Sequence, residues 1–151
     1  PYARFDRSVS KATEMEQYNG EVVLDGIIEC AKACLAAVIP VGLGTDTGCP
    51  YITHYDMWRE VRYFHTFCGV SNAFALHTAT LGNAKIAGID GITGSLTPGK
   101  SADLIVTAGD PLENLEALRH VSMVTMRGKL FRDPKVRKMP DCERELDKVS
   151  G

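Results

Sequence analysis

The chain reads as an α/β protein built around a parallel strand, and three features of the sequence say so. A segment with helical periodicity, Val22 to Ala37, leads into the apolar run Ala36-Ala37-Val38-Ile39-Pro40-Val41-Gly42-Leu43. That run ends in one carboxylate set among glycines, Gly44-Thr45-Asp46-Thr47-Gly48, and a second helix start follows at once. Helix, strand, loop, helix is the repeating order of parallel α/β architecture. In such folds the carboxyl ends of strands are where metals and catalytic groups gather.

Residues 1 to 20 are polar and turn-rich, which predicts a loop with at most a short helical turn. In the next segment Val23, Leu24, Ile27, Ile28, Ala31, Leu35 and Val38 recur at three- and four-residue steps, the mark of an amphipathic helix. Cys30 and Cys34 lie one helical turn apart among Ile27, Ile28, Ala31, Leu35 and Ala36, so they are expected to be buried thiols acting as small hydrophobes. Pro40 lacks an N–H for a ladder, so the regular part of the strand is expected to start near it.

Thr53-His54-Tyr55-Asp56 places a hydroxyl three residues ahead of an acid, close to a capping box. Met57, Trp58, Val61, Phe64 and Cys68 then give one apolar helix face, stopped by Gly69. Ser71 or Asn72 can cap a further helix through Phe74, Ala75, Leu76, Ala79, Leu81 and Ile86 to Gly88.

Beyond Gly88 the character changes to small β structure. Thr97-Pro98-Gly99-Lys100 suits a type II turn. Ala102 to Val106 follows as a strand, and Asp110-Pro111 offers a helix cap ahead of Leu112 to Leu118. Val121 to Met126 is a second strand, turned by Arg127-Gly128-Lys129 into Leu130-Phe131. Past Arg132 the chain is highly charged and is expected to be a peripheral helix or partly disordered.

A length of 151 residues with 44% hydrophobic content fits one ordinary domain or a piece of a larger one. The chain begins at Pro1 rather than Met, which suggests processing or part of a longer polypeptide. Seventeen basic and nineteen acidic residues carry a net charge of -2 with no like-charge block, so neither nucleic acid nor an anionic membrane surface is indicated. The longest apolar stretch is too short to span a bilayer and no signal peptide opens the chain. Five cysteines without disulfide or zinc-ribbon spacing point to a reducing cytoplasm.

Asp46 is the leading candidate for chemistry. A carboxylate at a strand end can bind a divalent metal and take a proton from water whose pKa the metal lowers to roughly 7. The competing account, an Asx-turn between strand and helix, is the better one on these five residues alone. Thr45 and Thr47 flank the acid. His54 can reach a site at the same strand end or sit on the surface of the next helix's first turn. His65, His77 and His120 share no ligand spacing and read as structural or exposed. The sequence contains no His-x-His, His-Glu-x-x-His, Cys-x-x-Cys, P-loop, dinucleotide fingerprint or Gly-x-Ser-x-Gly elbow.

Four segments taken in order, Gly42 to Asp46, Ala79 to Ala84, Gly94 to Val106 and Gly109 to Leu112, resemble the C-terminal portion of the amidohydrolase superfamily, nearest its imidazolonepropionase-like and Xaa-Pro dipeptidase-like branch. The resemblance runs from about Val22 to Phe131. It implies the C-terminal part of a (β/α)8 barrel plus a small β-sandwich, with residues 1–90 ending the barrel, 91–131 giving sandwich strands and 132–151 forming a charged tail. It implies a divalent metal, usually zinc, as one or two ions at the barrel's carboxyl face. It gives Asp46 the role of metal ligand and proton acceptor for the attacking water, and it makes Asp103 a residue of the fold. The family's other ligands, a His-x-His, a lysine or glutamate and two further histidines, would precede Pro1.

The resemblance thus implies hydrolysis of carbon–nitrogen bonds, amide or dipeptide-like, by a longer parent protein, with this chain inactive alone. A catalytic zinc generally takes three protein ligands and a full barrel runs to about 250 residues. The expected partners are a small or dipeptide-like substrate and the remaining barrel segment, in the same protein or in a complementing chain, with a homo-oligomer also open. The alternatives are a stand-alone, non-catalytic module and one half of a split hydrolase. Of the substrate loop only Thr47 to Thr53 lies in this chain, with Cys49, Pro50 and Tyr51 lending it apolar character.

Overall fold

The computed structural model describes residues 13–48 and 52–149. The expectations for residues 1–12 and for Cys49, Pro50 and Tyr51 therefore lie outside the described residues. Helix α1 spans Glu14–Ala36, so helix begins within the stretch expected to be loop. It closes with the Ile39 N–H on the Cys34 carbonyl at 2.8 Å and the Val38 N–H on the Leu35 carbonyl at 3.1 Å. This is the geometry of a helix end that needs a left-handed residue. Val38 supplies it at φ 59, a costly conformation for a β-branched side chain.

The expected strand does not form a ladder. Ala36 ends α1, Ala37 and Val38 make a turn, and Ile39 to Thr47 runs without regular hydrogen-bonded structure. A parallel strand exists only through its neighbours' hydrogen bonds, and no described residue supplies a second strand beside it. Val41, Leu43 and Thr45 are half-buried while Gly42, Gly44 and Asp46 are exposed, a strand-like alternation with one covered face. The thiols also depart from expectation. Cys30 is exposed and Cys34 only half-buried, because the described residues cover only part of α1 and leave side chains such as Ile27 62% exposed.

Helix α2, Met57–Cys68, buries Trp58, Arg59, Val61 and Phe64 and ends at Gly69, whose φ of 72 suits a glycine cap. Its start differs from a capping box. Asp56 is the N-cap without a side-chain cap bond, and the Thr53 hydroxyl donates to the Asp56 carboxylate at 2.6 Å. Helix α3, Asn72–His77, begins as expected with Ser71 Oγ accepting from the Phe74 N–H, a cap worth about 1 kcal/mol. It runs through a π-turn at Thr78–Gly82 into α4, Asn83–Ile86. The Thr78 and Thr80 hydroxyls donate back to the Phe74 and Leu76 carbonyls at 2.9 and 2.7 Å. The core is Val61, Phe64, Ala75 and Leu115, edged by Leu35, Val41, Leu43, Leu76 and Leu118.

Three strands, β1 at Leu104–Thr107, β2 at Val121–Met126 and β3 at Lys129–Arg132, form one antiparallel sheet in sequence order. Arg127 and Gly128 both have positive φ, the two-residue hairpin turn that matches strand twist. Lys100 donates to the Thr97 carbonyl at 3.2 Å with Gly99 at φ 91, as the type II turn requires. Asp103 ties this region together, accepting from the Arg127 N–H at 2.6 Å and the Thr93 hydroxyl at 3.0 Å. The Arg127 N–H, followed by the Ser101 and Thr93 hydroxyls, holds its carboxyl below the usual range.

The helix expected at Leu112 to Leu118 is a short 3-10 turn, Leu115–Arg119, and its cap is Asn114 rather than Asp110. Asp110 instead accepts from the Leu112 N–H at 2.8 Å as a local turn, because Pro111 leads into a turn that delays the helix. The charged tail contains α5, Pro140–Val149. It is anchored by buried Leu146 and by Asp147, which pairs with Arg59 at 2.8 Å and Arg119 at 2.9 Å. Burial pushes the Asp147 carboxyl up, but the two guanidiniums outweigh it and hold it low. None of the described helices is long and apolar enough to cross a membrane.

Candidate functional site

The extended segment, α1 and α2 together enclose a groove of about 400 Å³. Leu24, Ile27 and Ala31 line it from α1, Tyr63 and Phe67 from α2, and Leu146 from α5. Its polar side chains include Thr45, Asp46, Thr53, Asp56, Arg59 and Glu60. Asp46 adopts φ 49, a left-handed conformation that Asp tolerates better than most residues. This bends the chain out of its extended path where the carboxylate emerges. The acid is exposed, and no described hydrogen bond or ion pair engages its carboxylate.

Of the residues singled out by sequence, Thr45 and Asp46 line the groove, whereas Thr47 and His54 do not. Thr47 is exposed and shares a 2.8 Å hydroxyl hydrogen bond with Thr45. His54 is exposed in the turn before α2, its ring edge on Tyr55 at 5.4 Å. His65 is spoken for locally, with Nδ1 2.6 Å from the Val70 carbonyl oxygen.

Asp56 is a fixture of the scaffold. Besides Thr53 it accepts from the Trp58 indole N–H at 3.1 Å, and Arg59 Nε lies 3.7 Å away. The Arg59 and Arg119 guanidiniums both sit against the Trp58 ring, at 4.5 and 5.3 Å from its centroid. Desolvated guanidinium–ring contacts of this kind are worth up to about 2 kcal/mol.

Two further features were not foreseen from the sequence. Burial pushes the Glu60 carboxyl above its ordinary value of 4.5, a shift that periodicity gave no way to foresee. Asn83 pairs with the acid-bearing segment through both ends of its amide, accepting from the Leu43 N–H at 2.9 Å and donating to the Leu43 carbonyl at 2.8 Å. The available signal was an asparagine, a poor helix former, inside a helical run.

The amidohydrolase family profile matches residues 10–131, most of the chain, so the chain belongs to the amidohydrolase family. It is similar to guanine deaminase of Escherichia coli K12, 33% identical over 99 residues that make up 62% of this chain and 22% of the relative. A solved structure from Bifidobacterium longum, provisionally named a prolidase, superposes with a TM-score of 0.90 at 36% identity, covering 97% of this chain and 36% of its own. A Xaa-Pro dipeptidase solved with methionine in its active site gives 0.69 at 28% identity, covering 80% of this chain and 29% of its own. An adenosine deaminase from Xanthomonas campestris, solved with bound zinc, gives 0.59 at 25% identity over 80% of this chain and 33% of its own. The chain thus spans only about a fifth to a third of these relatives. Their shared architecture places it in a TIM-barrel family, represented here by a partial α/β unit with a three-stranded sheet.

The family is generally metal-dependent. Among the described residues, however, no group of three or more His, Cys, Asp and Glu side chains is placed to hold a metal ion. A catalytic zinc generally takes three protein ligands. The described residues therefore do not make a metal centre, and Asp46 is a single candidate donor.

Proposed function

We propose that this chain is the C-terminal portion of a hydrolase acting on carbon–nitrogen bonds, in which Asp46 accepts the proton of the attacking water. The observation that carries the reading is the position of Asp46, at the groove where the extended segment turns, with no described group holding its carboxylate. An ionised carboxylate so placed can take one proton from water as oxygen bonds to the carbonyl carbon. It then returns that proton to the departing nitrogen as the C–N bond breaks, leaving an acid and an amine. A dipeptide-like amide of the Xaa-Pro type is the substrate class we favour, on the similarity to the two dipeptidase-like structures.

In this reading residues 1–90 end a (β/α)8 barrel, 91–131 contribute strands to a β-sandwich, and 132–151 form a tail. Asp46 is also one ligand of a divalent metal, zinc by preference, whose other ligands lie outside this chain. Thr45, Thr47 and His54 lie near the acid in sequence and are secondary candidates for contact with substrate. The rest of the barrel, in the same polypeptide or a complementing one, is the principal partner.

Asp46→Asn in the full-length protein tests the proposal with Met-Pro as substrate. Turnover is expected to fall by about 10²–10⁴-fold, as for loss of a general base. Unchanged turnover would remove Asp46 from the chemistry. The second reading is a stand-alone, non-catalytic module. That reading predicts no hydrolysis by the full-length protein at any metal supplied, and is overturned by metal-dependent turnover.

A further inference from the structure

We propose that Asn83 is a positioning residue for Asp46, its carboxamide standing in for a neighbouring strand on Leu43. The inference rests on the catalytic reading of Asp46 above. In an extended chain the N–H and C=O of one residue point to the same edge, and a strand partner normally exchanges one hydrogen bond with each. Asn83 satisfies both on Leu43, at 2.9 and 2.8 Å. At this site aspartate would lack the donor, serine the second polar atom, and glutamine's extra methylene would shift the amide off Leu43. Leu43 is thereby fixed three residues ahead of Asp46, where the chain enters the left-handed bend.

The geometry around Asn83 is built for this contact. At Gly42 a Cβ would lie 3.1 Å from Asn83 Oδ1 and 3.3 Å from Ile86 Cδ1, so glycine lets the helix approach the segment. From behind, Gly94 packs so closely that a Cβ there would meet Ala84 Cβ at 2.5 Å and Leu81 Cα at 3.2 Å. The π-turn at Thr78–Gly82 comes directly before Asn83. Such a turn inserts one residue and rotates the remainder of the helix by about 100° about its axis.

The test uses the full-length protein with Asn83→Ala, Asn83→Asp and Asp46→Asn, read by amide hydrogen exchange and by kcat and KM on Met-Pro. In Asn83→Ala the Leu43 amide is expected to exchange about tenfold faster or more, while β2 and β3 keep wild-type protection. Its kcat is expected to fall at least about tenfold with KM changed less than about threefold, since misplacement of a reacting group by an ångström is felt mainly in the chemical step. Asn83→Asp keeps the acceptor for the Leu43 N–H and is expected to restore part of that protection.

Wild-type exchange at Leu43 or wild-type kcat in Asn83→Ala overturns the inference. So does faster exchange throughout the chain, which would make Asn83 a general stabiliser. If Asp46→Asn retains turnover, the catalytic role of Asp46 fails by itself, and the Leu43 amide still decides whether Asn83 holds the segment.

Discussion

The hairpin half of the molecule and the acid-bearing segment obtain their hydrogen bonds from different distances. In the sheet, β1 pairs with β2 and β2 with β3 in sequence order. Its turn is set by Arg127 and Gly128 and clamped by Asp103. Every partner lies within a few dozen residues. Ile39 to Thr47 has no such neighbour among the described residues, and its one described side-chain brace on the backbone comes from Asn83, forty residues on. Antiparallel strands can be joined by a tight turn, whereas parallel strands require a crossover of a dozen or more residues. A short stretch of chain therefore completes the first kind of structure and leaves the second open.

The contact joining the two halves is the place to break this contrast. Gly94→Ala introduces a methyl group 2.5 Å from Ala84 Cβ at a residue with φ +88. Overpacking and left-handed strain together should cost about 3 kcal/mol in urea denaturation. A loss below about 1 kcal/mol would show that α4 and the Gly94 turn are not rigidly coupled.

A smaller change sharpens the contrast from the other side. Val38→Gly relieves the strain of a β-branched residue at φ 59 that is 89% exposed and so has little packing to lose. It should stabilise the chain by about 1 kcal/mol, net of the added chain entropy of glycine. A destabilisation would mean that the end of α1 depends on the valine side chain.

The smallest effect concerns the groove and its pH dependence. Glu60 has a raised carboxyl because burial disfavours its charge. For such a group the destabilisation is absent below the unfolded value and complete above the folded one. Stability of the wild type should therefore fall relative to Glu60→Gln as pH rises from 4.5 through the raised folded value, and stay level above it. Parallel stability curves for the two proteins across that interval would remove Glu60 from the buried lining of the groove.

Legibility followed the same divide. The helix cap at Ser71, the glycine stop at Gly69, the turn at Pro98-Gly99 and the hairpin at Arg127-Gly128 are local chemistry, and each stands where the residues indicated. Asp110 missed as a helix cap because its carboxylate is used two residues on, at Leu112. The thiols of α1 missed because helical period reports which residues share a face, not whether anything covers it. At the candidate site the order apolar run, glycine, acid pointed to Asp46. His54 was suggested by chain proximity alone, and its side chain does not line the groove.

The sequence by itself determined where helices stop, where the hairpin turns and which carboxylate ends the apolar run. Those choices depend on φ preferences, caps and periodicity within a few residues. Only the tertiary structure decided that Asn83 would brace Leu43, that Glu60 would be desolvated, and that Arg59 would join α2 to the C-terminal helix. Each of those depends on groups distant in the chain coming within a few ångströms, a consequence of packing that short-range preferences do not contain.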